Sequence, residues 1–174
     1  MATYRYDDLI DKNIIPDDCE IFICCYRELA KLPVLPNRLK ELDCNSNNIT
    51  KLPELPSGLI RLYCCDSYIT ELQILPVGLQ ELRCNNNILT ELPVLPSGLI
   101  ILFCGYNKIT ELPELPFGLD ILYCHSNPIK YITPDMYSTM KYIYLTNKYR
   151  ICIYETIFYD NSGCSCLKEF FGCE

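Results

Sequence analysis

Along residues 31–130 one alternation of apolar and polar positions returns every twenty residues. Lys51–Thr70 reads KLPELPSGLIRLYCCDSYIT, and Glu71–Thr90 reads ELQILPVGLQELRCNNNILT. The blocks 31–50, 91–110 and 111–130 follow the same scheme without insertion or deletion, which makes five clear copies. A fixed period decides architecture ahead of local propensity. Within a copy, Leu59, Leu62 and Cys64 form L-x-x-L-x-C, whose period-two alternation predicts a short strand. Asn47, Asn87, Asn107 and Asn127 follow at equivalent places. An asparagine there can bond the backbone where the chain leaves the strand, so stacked copies predict an asparagine ladder. Ile49, Ile69, Leu89, Ile109 and Ile129 then return an apolar side chain to the interior.

The rest of each copy is L-P-x-L-P-x-x-L. Its two prolines forbid a helix interior and favour extended, polyproline-like backbone. Gly58, Gly78, Gly98 and Gly118 stand just before the strand and are expected to supply a turn with φ > 0. No copy can bury its leucines alone. Stacking yields a continuous interior and a parallel sheet along one side.

The L-x-x-L-x-C-x-x-N-x-I core resembles the leucine-rich repeat family. With the L-P-x-L-P segment it looks like the short class found in bacterial effectors and in large DNA viruses of amoebae. The match covers residues 11 to about 150. The resemblance implies a repeat solenoid with little helix, its curved parallel β-sheet on the concave face and an extended convex side. It also implies recognition of a protein partner rather than catalysis. Departures are Cys where the family more often has Val, Leu or Ala, Ser67 at an Asn place and Gln73 at a Pro place. The Phe-Asn-Ile-Pro signature of a related class is absent.

Three segments are expected. Residues 1–10 form an N-terminal cap, in which Asp7 or Asp8 could cap one helical turn carrying Leu9 and Ile10; a frayed terminus is the alternative. Residues 11–150 are repeats, with a worn copy at 11–30 and a disturbed one at 131–150. In the latter, Met140, Ile143 and Leu145 recover the strand if one residue is inserted after Pro134. Residues 151–174 form a C-terminal cap.

Charge and cysteine content sharpen this picture. The chain has 174 residues, a net charge of −7 and 13 cysteines. The acidic balance weighs against a nucleic-acid backbone or an anionic membrane as partner. No secretory signal and no membrane span stand out. Cys24, Cys44, Cys64, Cys84, Cys104 and Cys124 recur at one point of the repeat. They are therefore packing positions, read as buried thiols in a reducing, cytoplasmic setting, with a host cell's cytoplasm one such setting.

Strand residues between the buried ones point outward. Arg61, Tyr63, Glu81, Arg83, Ile101, Phe103, Ile121, Tyr123, His125, Tyr142 and Tyr144 are the candidate protein-binding residues. Their first half is mixed in charge, and the second is apolar and aromatic. Exposed apolar surface marks contacts, and Tyr and Arg concentrate binding energy. The competing interpretation is an aromatic ladder that only stabilises the sheet, or cover by the protein's own tail.

No catalytic residue, metal ligand or cofactor is assigned. His125 is the sole histidine, and Cys104 and Cys124 should face away from it. Cys152, Cys164, Cys166 and Cys173 could bind zinc or form a disulfide, but their spacing lacks the paired C-x2-C arrangement. The expected function is protein–protein interaction. The alternative is a structural subunit, either a minor particle component or a homodimer.

Overall fold

A computed structural model of the chain describes residues 1–9, 14–130, 133, 135 and 151–152. Eight short strands form one parallel sheet in chain order. They are β1 (Thr3–Arg5), β2 (Ile21–Ile23), β3 (Glu41–Asp43), β4 (Arg61–Tyr63), β5 (Glu81–Arg83), β6 (Ile101–Phe103), β7 (Ile121–Tyr123) and β8 (Ile151–Cys152). From β2 to β7 the register advances by one repeat per strand, so Phe22, Leu42, Leu62, Leu82, Leu102 and Leu122 stand in one row. Each coil is thus a strand, a turn and an extended return, and the chain is a solenoid with almost no helix.

The interior follows from the repeat. That leucine row, the six cysteines and the row of Leu39, Leu59, Leu79, Leu99 and Leu119 are almost fully buried. Ile49, Ile69, Leu89 and Ile109 close the interior from the other side. Burying a leucine contributes roughly 1.5–3 kcal/mol, so the stack rather than any single coil holds the fold. The cysteine sits where the chain bends out of the strand, and its N–H donates to the next strand. Cys44 reaches Tyr63 O, Cys64 reaches Arg83 O and Cys84 reaches Phe103 O, each at 2.8 Å.

The asparagines form the ladder expected of them. Asn107 Nδ2 donates to Cys84 O at 3.0 Å, Cys104 O at 3.1 Å and Gly105 O at 3.1 Å. Its Oδ1 accepts the Leu89 N–H at 3.0 Å. Asn47, Asn87 and Asn127 repeat this pattern. Each asparagine fastens its own coil to the one before. Ser67, in the same place, only accepts the Asn47 N–H at 3.4 Å.

Three expectations need correction. The left-handed backbone lies not at Gly58, Gly78, Gly98 or Gly118 but at Tyr26, Ser46, Asp66, Asn86, Tyr106 and Ser126, and also at Glu28 in the first coil, all with φ between 53° and 58°. Those glycines occupy a tight turn in which Leu59, Leu79, Leu99 and Leu119 each donate to the proline carbonyl three residues back at 3.0 Å. Asp18 and Arg38 take the glycine's place in earlier coils, so the turn does not require one. A Cβ added at Gly98 would meet nothing within 4 Å. Gly98→Ala should therefore stabilise the fold by about 0.5 kcal/mol through the unfolded chain's lost freedom. A thermal melt checks this, and a lowered midpoint would show that glycine is needed there.

The N-terminus differs as well. Thr3–Arg5 adds an eighth strand outside the repeats, pairing Tyr4 with Phe22. Asp7 and Asp8 lie within a 3-10 turn, Tyr6–Asp8, that has no side-chain cap. Asp7 instead pairs with Arg27, whose N–H donates to Asn47 Oδ1 at 3.2 Å. Leu9 is buried against the first coil.

At the other end β8 pairs with β7, setting Leu122 against Ile151. Residues 151–152 hold the slot beside β7. The proposed seventh-copy strand, Tyr142, Tyr144 and the cap beyond residue 152 lie outside the described residues.

Candidate functional site

The outer face of the sheet carries two rows of side chains. Register aligns Arg61, Glu81, Ile101 and Ile121 in one, and Tyr63, Arg83, Phe103 and Tyr123 in the other. Strands only three residues long hold these side chains because each is flanked by buried leucine and cysteine.

The second row is a continuous stack. The Arg83 guanidinium carbon lies 5.4 Å from the Tyr63 ring centre and 4.7 Å from that of Phe103. Phe103 and Tyr123 stack at 4.5 Å with 29° between their planes. A guanidinium between two aromatic faces is a favourable arrangement. The same Arg83 donates from Nε to Glu81 Oε1 at 2.6 Å. Tyr63 OH donates to Glu81 Oε2 at 3.2 Å. Arg61 bonds Glu41 at 3.1 Å.

These contacts change the role of Glu81. It was expected on the open face, yet it is only 8% exposed. Its carboxylate is closed over by Arg83 and Tyr63. Burial, with Glu81 and Glu41 nearby, pushes the Tyr63 phenol up to about 12. The mixed-charge half is thus internally satisfied. The half around Ile101, Phe103, Ile121 and Tyr123 is partly exposed with no such charge network. His125 extends it, its ring edge-on to Tyr106 at 4.7 Å. Cys104 and Cys124 are fully buried on the opposite side of the strands.

Asn45 and Asn85 belong to the mixed-charge half of the outward face, but sequence reasoning missed that they bond the backbone of the next coil. Asn45 Oδ1 accepts the Cys65 N–H at 2.6 Å, and Asn85 Oδ1 accepts the Gly105 N–H at 2.8 Å. The N-x-N spacing of Asn45 with Asn47 and Asn85 with Asn87 was the available signal. No cluster of three or more potential metal ligands exists among the described residues. No helix among them is long and apolar enough to cross a membrane. The zinc or disulfide option for Cys152, Cys164, Cys166 and Cys173 lies outside the described side chains.

No protein-family model matches this sequence, and no curated protein does. Solved structures do. YopM from Yersinia enterocolitica is 31% identical over 67% of this chain, with a TM-score of 0.55. YopM from Yersinia pestis, described as a leucine-rich effector, is 32% identical over 67%, with a TM-score of 0.66. InlJ from Listeria monocytogenes, whose functional domain includes a cysteine ladder, is 28% identical over 75%, with a TM-score of 0.63. The chain spans about a third of the length of these three, 31%, 34% and 30% respectively.

Proposed function

We propose that this chain, which folds as a leucine-rich-repeat solenoid, is a non-catalytic module that grips a protein partner with the outer face of its sheet. The carrying observation is the stacked, half-exposed surface of Ile101, Phe103, Ile121 and Tyr123 beside the closed Glu81 network. The Arg83 guanidinium holds the Phe103 ring from one side and Tyr123 from the other, so the aromatic surface is pre-organised. A rigid anchor loses little freedom on binding. Tyr142 and Tyr144 would extend this surface if their segment follows the same face. The likeness to bacterial effectors supports a partner in a host cell and a host-cell cytoplasmic setting.

The test uses Phe103→Ala with Tyr123→Ala and keeps Arg83, because removing Arg83 would leave buried Glu81 only the more distant Arg61, 3.9 Å away, as its cation. Capture from host-cell extract, followed by titration of whatever the wild type retains, should show affinity falling more than about tenfold with unchanged circular dichroism. Affinity within twofold of wild type would overturn the site.

A further inference from the structure

The outer face of the sheet carries one charge that its own network leaves over. Strands β3, β4 and β5 present three carboxylates, Glu41, Asp43 and Glu81, and two guanidiniums, Arg61 and Arg83. Arg61 bonds Glu41 at 3.1 Å, and Arg83 bonds Glu81 at 2.6 Å. Three negative charges against two positive ones leave Asp43. It joins no ion pair among the described residues. Its Oδ1 accepts only the Asn45 N–H of its own turn, at 3.2 Å.

The surroundings of Asp43 suit a cation. Register sets it between Ile23 and Tyr63, all three partly buried. Tyr63 leans away from it, towards β5. The Tyr63 hydroxyl donates to Glu81 Oε2 at 3.2 Å, and the Arg83 guanidinium carbon lies 5.4 Å from the ring centre. One face of the ring is thus taken from the β5 side, and the other looks back over Asp43. Ile23 forms the opposite wall and separates Asp43 from Arg5, two strands or about 10 Å away. Lys40 is turned elsewhere, its Nζ packed over Gly58, where an added Cβ would lie 2.8 Å from it. A carboxylate between an aromatic face and an aliphatic wall can take an ammonium or guanidinium, whose methylene stem covers the apolar sides.

We propose that the partner gripped by this face places a lysine or arginine on Asp43, against the Tyr63 ring. This rests on the reading of the face as a protein-binding surface and specifies the chemistry of what binds. Phe103 stands three strands beyond Asp43 in the same row, about 14 Å away. The partner segment therefore carries an apolar anchor and a basic residue at that separation, roughly ten residues along a helix or four along an extended chain. Arg83 lies between the two seats and repels a second basic side chain there.

Selection of a displayed library of random peptides on the wild-type chain, in low salt, tests this. Peptides of about sixteen residues span the distance in either conformation. Those recovered should carry Lys or Arg at a constant offset from an aromatic or aliphatic residue. Asp43→Asn keeps an acceptor for the Asn45 N–H, so circular dichroism should not change. The tightest peptide should bind this variant about tenfold more weakly. Replacing the peptide's basic residue by norleucine should weaken wild-type binding equally and weaken binding to Asp43→Asn no further. Salt should weaken the wild-type complex more than the variant's. Undiminished affinity for Asp43→Asn, or two losses that simply add, would overturn the proposal. If that peptide still loses affinity for Phe103→Ala with Tyr123→Ala, the partner-binding face stands without it. Undiminished affinity for the Phe103→Ala, Tyr123→Ala variant would instead overturn the aromatic anchor, and a library without any binder would overturn both.

Discussion

Between pH 7.5 and pH 9.5, in reductant, the folded state should lose about 7 kcal/mol of stability, roughly half or more of what a domain ordinarily has. The cause is the row of buried thiols. Burial pushes Cys24 up to about 12 and holds Cys44, Cys64, Cys84 and Cys104 well above the ordinary thiol value. Their folded values exceed the unfolded one, near 8.5. The folded chain therefore keeps protons that the unfolded chain has given up. Stability is intact below about pH 8.5 and falls as pH rises towards the folded values. At pH 9.5 each thiol contributes a loss of about 1.4 kcal/mol, and five such groups act together.

Urea unfolding at the two pH values measures the change as a shift of several molar in the midpoint, at about 1–3 kcal/mol per molar. A midpoint that scarcely moves would show the sulfurs in contact with solvent. Cys104→Val, close in volume and unable to ionise, should remove about one fifth of the pH dependence. The same burial protects the sulfurs from alkylation, since the thiolate is the reactive form. Mass spectrometry should find those five thiols unmodified until denaturant is added.

The second large effect is expected at the asparagine ladder. Asn107→Ala should cost about 2 kcal/mol, because the buried Leu89 N–H loses its acceptor and an orphaned group costs roughly 1–3 kcal/mol. The carbonyls of Cys84, Cys104 and Gly105 each lose one of two donors, keeping Asn87 Nδ2, Asn127 Nδ2 and the Asn86 N–H respectively. The reverse change is available in the same molecule. Ser67→Asn should supply the missing rung and stabilise by about 1–2 kcal/mol, since neighbouring coils accommodate asparagine at this place. Chemical denaturation of both variants checks the pair. A neutral Asn107→Ala would mean that water already serves those groups.

Much of the architecture was legible because the repeat states it several times. One leucine is ambiguous, but Leu42, Leu62, Leu82 and Leu102 at a constant interval are not. The left-handed turn was hidden because its occupants vary, Tyr26, Ser46, Asp66, Asn86, Tyr106 and Ser126, and none of them is glycine. A backbone need met by position in the coil leaves no compositional trace. The candidate site was legible as two outward rows with a mixed-charge and an aromatic half, yet the enclosure of Glu81 was not. Burial of Glu81 depends on Arg83 and Tyr63 folding over it from the same and the preceding strand, a tertiary effect that spacing does not reveal. Strand β1 was missed because nothing in Thr3–Arg5 repeats.

Ser67 also bears on how the stack comes apart. Each asparagine reaches backwards, so every coil is latched by its successor, and the assembly has a direction. Where 31–50 meets 51–70 that latch is a lone hydroxyl, and backbone bonds with the Cys65 N–H on Asn45 Oδ1 hold the junction instead. Under denaturant this junction should be the first in the stack to open.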